Sequence, residues 1–171
     1  MEPTEYLFEL INQSNISLLG YTFKEERIKD EIISKVSHIE LPEINSSFSI
    51  LSYIRDSKID SVLNNKTETP THFLLDINNF MLGRGETRVN VIKHVLTRIV
   101  EELIDTNFKL LITCPIYNKI GNKIGNDGYN FSGGITGLYM ADFVGIIRED
   151  RVRIMKNREG GSQIDIKYDS K

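Results

Sequence analysis

Two lysines, two aromatic rings and five glycines crowd into one stretch, Asn118–Gly134, which reads NKIGNKIGNDGYNFSGG. Lys119 and Lys123 supply positive charge. Tyr129 and Phe131 supply rings on which bases can stack, an interaction worth about 1–3 kcal/mol per base. Gly121, Gly125, Gly128, Gly133 and Gly134 let the backbone approach phosphates closely. Together these residue types suit single-stranded nucleic acid. The plain alternative is a surface loop without a ligand. A loop this long and this polar is uncommon in a compact domain, and is usually functional or disordered.

A second basic set follows: Arg151, Arg153, Lys156 and Arg158. Arg151 and Arg153 share one face of a strand. They make either an interaction surface or an edge strand whose charge blocks unwanted pairing. A third basic location is Arg84, in the short two-glycine loop Met81–Thr87. Metal chemistry has little to work with. His94 has no second His or Cys at a ligand spacing. Cys114 is the single cysteine and lies in an apolar run, so it reads as a buried structural residue in a reducing compartment.

Elements that could position these residues are legible in the apolar pattern. Ile16–Leu19 before Gly20, His38–Ile44 stopped by Pro42, His72–Asp76, Leu110–Thr113, Phe143–Ile147, Arg151–Met155 and Ile164–Tyr168 read as strands. His72 opens its strand and reads as a surface residue; Ile164 and Ile166 fall on one face of theirs. Four segments have helical spacing. Residues 5–11 carry Tyr6, Leu7, Leu10 and Ile11; residues 23–36 carry Ile28, Ile32, Ile33 and Val36. Phe48–Leu63 carries Ile50, Leu51, Ile54 and Val62, with Ser46 or Ser47 as N-cap. Arg88–Ile104 carries Ile92, Val95, Ile99, Val100 and Leu103, with Lys93, Arg98, Glu101 and Glu102 opposite. Ile135–Met140 reads as a short helical turn and Glu149-Asp150 as a hairpin turn. The expected fold is α/β: a mostly parallel sheet flanked by helices, with a C-terminal antiparallel hairpin.

At 171 residues the chain fits one domain, 1–171, able to bury an ordinary core without disulfides or metals. Residues 1–20 lack the charged and apolar regions of a signal peptide. No apolar run approaches the roughly 20 residues that span a bilayer. A cytoplasmic protein without a membrane partner is expected. Net charge is −3, so any DNA contact must come from a local patch rather than from overall charge.

Over residues 71–168 the order of these features resembles the RecA-type recombinase core, most closely its T-even phage branch. NKIGNKIGNDGYNFSGG resembles the second DNA-binding loop, which ends in paired glycines, here Gly133-Gly134. GGITGLYMADFVGII resembles the helical turn and strand that follow. RVRIMKNREGG resembles the strand that carries basic residues to a neighbouring subunit, with Lys156 and Arg158 as the pair that reaches the neighbour's nucleotide. The resemblance implies a RecA-like fold, a phage-like source, a first DNA-binding loop at Met81–Thr87 and a magnesium-holding Asp76 in a Walker B-like strand. It puts Glu40 and Glu43 roughly where the family places its catalytic carboxylate.

The sequence departs from that pattern in two places. A phosphate loop needs several glycines, a Lys and a Ser or Thr. After the first strand the chain reads Gly20-Tyr21-Thr22-Phe23-Lys24-Glu25-Glu26, with one glycine and two carboxylates behind the lysine. No G-x-x-x-x-G-K-[ST] occurs anywhere. Pro115 stands where the family has a Gln or His that senses the nucleotide. Without these parts, Asp76 reads as a cap or hydrogen-bond partner of its following turn rather than a magnesium ligand, and Glu40 and Glu43 as solvated surface charges.

The leading expectation is therefore a non-catalytic relative in DNA recombination, repair or replication. It would bind single-stranded DNA, a recombinase- or helicase-type protein, or further copies of itself, with no cofactor. One alternative is an active recombinase- or helicase-type ATPase that uses ATP and magnesium; KNREGG also resembles the end of replicative helicase cores. Another is a structural or inhibitory protein that caps a RecA-type filament.

Overall fold

The computed structural model describes residues 3–41, 51–57, 72–79, 86–104, 106–118, 129–131, 140–157 and 164–168. Helix α1 (Pro3–Gln13) leads into β1 (Ile16–Tyr21), a 3-10 turn (Phe23–Glu25) and α2 (Glu26–Ser34). Strand β2 (His38–Glu40), helical residues 51–57 (α3), β3 (His72–Asp76) and a second 3-10 turn (Ile77–Asn79) follow. Then come α4 (Glu86–Leu103), β4 (Lys109–Asn118), β5 (Tyr129–Phe131), β6 (Phe143–Arg148), β7 (Arg151–Lys156) and β8 (Ile164–Lys167).

The sheet order is β2-β3-β4-β1-β6-β7-β8, with β5 paired to the end of β4. Strands β2, β3, β4, β1 and β6 are parallel; β7 and β8 continue antiparallel. This bears out the expected class of a mostly parallel sheet with a C-terminal antiparallel hairpin.

Alternation along the central strands sorts the core into two layers. Leu18, Phe73, Leu75, Leu110, Ile112 and Cys114 face Leu51 and Ile54 of α3 and Ile92, Val95, Leu96 and Ile99 of α4. Leu19, Tyr21, Leu74, Leu111 and Phe143 face Leu7, Leu10 and Ile11 of α1 and Ile28, Ile32 and Ile33 of α2. A parallel sheet covered on both faces needs apolar residues at successive positions, which is why its strands read as unbroken apolar runs. The single cysteine is buried, as expected.

Chain direction reverses beside β1. From β1 the chain crosses the α2 face to β2, at the far edge. It then returns through β3 and β4 by way of α3 and α4 on the other face, and passes over β1 to β6. The carboxyl end of β1 is thus a topological switch point, the place where open α/β sheets bind ligands.

Several expectations change. The strand expected at His38–Ile44 ends at Glu40, and residues 42–44 lie outside the described set. Strand β1 runs through Gly20 to Tyr21, and β4 runs five residues past Thr113. His72 is buried rather than superficial, at 1 % exposure. Its ring Nε2 lies 3.2 Å from the Ile11 carbonyl. The last carbonyls of a helix need donors from outside it; His72 supplies one for α1, and Lys109 Nζ donates to the Asn12 carbonyl. Ile166 is buried, but Ile164 at the start of the edge strand is exposed. Of the helical turn expected at Ile135–Met140, only Met140 is described, in a helical conformation.

Candidate functional site

The carboxyl edge of the sheet is uneven. β3 makes its last pairing with β4 at Asp76 and Thr113, and β1 makes its last at Tyr21 and Pro115. β4 continues alone to Asn118 and folds back on β5, pairing Ile116 with Phe131, Tyr117 with Asn130 and Asn118 with Tyr129. At about 3.3 Å per residue, the three residues beyond Pro115 carry this ribbon about 10 Å past the end of β1. Tyr129 and Phe131 therefore stand on a strand and not in an irregular loop, because β4 does not stop at Thr113. Lys119, Lys123, Gly133 and Gly134 lie outside the described residues, as do Arg84, Glu43 and Arg158.

Pro115 looks like a strand terminator but sits within β4. A proline removes one ladder donor and is tolerated where a strand side is unpaired. Strand β3 has already ended at this level, which leaves one side of β4 without a neighbouring ladder.

Beside the ribbon, β1 passes into α2 by a closed turn. The Glu25 N–H donates to the Thr22 carbonyl at 3.1 Å, and the Glu26 N–H donates to the Phe23 carbonyl. Of the two carboxylates expected to repel phosphate at this turn, one points inward. Glu25 is buried, and its Oε1 accepts the Glu149 N–H at 3.1 Å. That bond fastens the β1–α2 turn to the β6–β7 turn, where Glu149 adopts a left-handed φ of 54°.

Below the turn, Tyr21 and Lys29 fill the space between β1 and α2. Both are buried, and the Lys29 ammonium stands 4.6 Å from the centre of the Tyr21 ring and 2.9 Å from Asp30 Oδ1. The Tyr21 hydroxyl is pushed well above its usual pKa, first by burial and then by the nearby Asp76 and Glu26 charges. Asp76 itself accepts the Asn78 N–H on Oδ1 at 2.9 Å. It caps the turn that follows β3, the second of its two expected roles. Glu40 is exposed at the sheet edge, 3.9 Å from His38 Nε2.

The basic strand is partly matched by carboxylates. Arg153 donates to both oxygens of Asp165 on β8, at 2.9 and 3.4 Å. The hydrogen bond from Arg153 holds the Asp165 carboxyl below its usual pKa. Arg151 is exposed, with Nε 3.8 Å from Asp150 Oδ1. The two arginines share a face while Val152 and Ile154 fill the core, as alternation requires. A bulge at Val144/Gly145 sets Lys156 opposite Val144, and Lys156 is exposed at the strand end.

The placements of three residues here were not read from the sequence. Phe23 is 86 % exposed at the turn after β1; its place off the Ile28-Ile32-Val36 stripe was a usable signal. Glu25 and Asp142 offered none, because their partners are far along the chain. Asp142 Oδ2 accepts the N–H groups of Asn15 and Ile16 at 3.0 and 3.3 Å, at the opposite end of β1.

Among the described residues, no three His, Cys, Asp or Glu side chains stand close enough to hold a metal ion. No described helix is long and apolar enough to cross a membrane. No protein-family model matches the chain, and no curated protein sequence matches it.

Proposed function

We propose that this chain is a RecA-superfamily protein of DNA recombination, repair or replication that binds single-stranded DNA, or a recombinase-type partner, without turning over ATP. The observation that carries this reading is the contrast at the carboxyl edge. β4 runs on past the sheet edge to Asn118 and pairs there with Tyr129–Phe131, while β1 enters α2 through a turn closed on itself.

The closed turn fits a nucleotide poorly. A phosphate cradle needs successive loop N–H groups aimed at one point. Here the Glu25 and Glu26 N–H groups are bonded inside the turn. The space beneath it is filled by Tyr21 and Lys29, and one oxygen of Asp76 is taken by Asn78. The backbone of β4 beyond Pro115 is paired with β5 and stands clear of that turn, and its sequence context carries the residue types that bind a single strand: aromatic rings on which bases stack and cations that track the phosphates.

The test is fluorescence anisotropy with a labelled single-stranded oligonucleotide, with and without ATP and magnesium, at low and moderate salt. Salt-sensitive binding indifferent to ATP is the expected result. Binding that requires ATP would return the chain to the ATPases. Absence of binding would shift the role to a protein partner through the Arg151–Lys156 strand.

A further inference from the structure

Phe23 is the most exposed large apolar side chain among the described residues, at 86 %. A phenylalanine left in water forgoes roughly 1.5–3 kcal/mol of burial, and this one is not on a loose segment. Its turn is closed by the Glu25 N–H on Thr22 and the Glu26 N–H on Phe23, and fastened by Glu25 to Glu149. The ring is therefore held out at the switch point by a fixed frame. Lys24, next in sequence, is also exposed. Across the Glu25–Glu149 bond, Arg148 and Arg151 are exposed as well.

We propose that Phe23 is a stacking platform for a base of single-stranded nucleic acid, with Lys24 beside it for the adjoining phosphate. This deepens the reading given above and rests on it: the strand held by the β4–β5 ribbon would continue across the same edge to the β1–α2 turn. Charge alone does not carry the contact, because Glu26, Glu149 and Asp150 are exposed on the same rim and offset its cations. A planar ring needs no pocket to stack a base, and stacking is indifferent to sequence. A protein partner would call for a broader apolar patch at the centre of its footprint. The other large exposed apolar side chains described, Tyr53, Ile104 and Ile164, belong to α3, the end of α4 and β8.

The experiment compares the wild-type chain with Phe23→Ala, Phe23→Tyr and Lys24→Ala, using a labelled thymidine homopolymer for affinity and a 2-aminopurine oligonucleotide for stacking. Phe23→Ala should weaken binding about tenfold and abolish part of the 2-aminopurine quench, whereas Phe23→Tyr should retain both. Lys24→Ala should lower the slope of log affinity against log salt by about 0.7. Thermal melting checks that the Phe23 variants stay folded, as expected for a ring outside the core. Wild-type binding that Phe23→Ala leaves unchanged overturns this inference and leaves the ribbon reading standing. If the wild-type chain binds neither oligonucleotide, both readings fall.

Discussion

Asp142 offers a direct test of how the segment after β5 is tied back to the sheet. Its Oδ2 accepts the N–H groups of Asn15 and Ile16, and its own N–H donates to the Ile16 carbonyl at 2.8 Å. One carboxylate thus fixes the start of β6 to the start of β1, two strands paired from Ser17 and Phe143 onward. Asp142→Ala removes the two side-chain bonds and leaves the backbone bond in place. A hydrogen bond to a charged acceptor contributes about 1.5–3 kcal/mol net. Asn15 is exposed, so water replaces its bond at little cost, whereas Ile16 is half-buried. The expected loss is therefore near that of one bond, about 1.5–3 kcal/mol. For a domain of this size, that lowers the melting temperature by about 3–12 °C.

Asp142→Asn keeps an acceptor without the charge and should lose only about 1 kcal/mol. Urea denaturation measures both, and an unchanged m-value would show that stability rather than compactness has moved. If Asp142→Ala lies within about 0.5 kcal/mol of the wild type, the size of an ordinary surface substitution, then the carboxylate does not hold β1 to β6 and the reasoning fails.

Three other expectations concern packing, protonation and backbone geometry. A Cβ at Gly145 would meet Phe143 Cζ at 3.0 Å and Val152 Cγ1 at 3.1 Å, both on fully buried side chains that have little room to yield. Gly145→Ala should therefore destabilise by about 1–2 kcal/mol in urea, overpacking outweighing the backbone entropy gained; a stabilised variant would contradict this. Burial, with Lys109 and His38 nearby, lowers the His72 pKa below its unfolded value, against the pull of the Ile11 and Ser37 carbonyls. The unfolded chain then takes up the proton first, so this contribution is complete above about pH 6.5 and is lost as pH falls below it. His72→Gln should flatten the fall in denaturation midpoint between pH 7.5 and about 5.5, and an equally steep fall would refute the assignment. Glu149→Gly relieves a left-handed residue while keeping the N–H that Glu25 accepts, and should stabilise by about 0.5–1 kcal/mol; a lower melting temperature would show that the turn is unstrained.

Local pattern was enough for elements whose partners matter only as a generic apolar surface. In α4 the spacing of Ile92, Val95, Ile99 and Leu103 fixes which side is buried whatever it packs on, and Leu96 joins them. The strands covered on both faces were equally plain. Where the outcome depended on a specific distant group, pattern was silent. His72 is polar and opens a strand, so it reads as superficial; its burial follows from a carbonyl 61 residues earlier. Tyr129 and Phe131 sit among glycine, asparagine and serine, and only pairing with Ile116–Asn118 makes them a strand. Pro115 then hid the length of β4, because a proline usually marks an end. At the candidate site, the capping role of Asp76 was readable because its partner is two residues away. The inward turn of Glu25 was not, because Glu149 lies 124 residues on.

The same contrast explains why the carboxyl edge takes the form it does. A parallel sheet buried on both faces must finish each strand with a turn that satisfies its own polar groups. At β1 two N–H groups close within the turn on Thr22 and Phe23, and the buried Glu25 carboxylate takes the Glu149 N–H of the β6–β7 turn. Every group so used is withdrawn from any ligand. At β4 the strand keeps its backbone bonded by folding back on β5, a solution that extends past the edge instead of sealing it. The backbone that extends beyond the sheet edge is thus at the end of β4 and not at the end of β1. What β1 still presents outward is an apolar ring and a lysine, Phe23 and Lys24, on a turn with no need of a ligand to hold its shape. A base stacked there meets a surface already organised, so little ordering cost is charged against the contact.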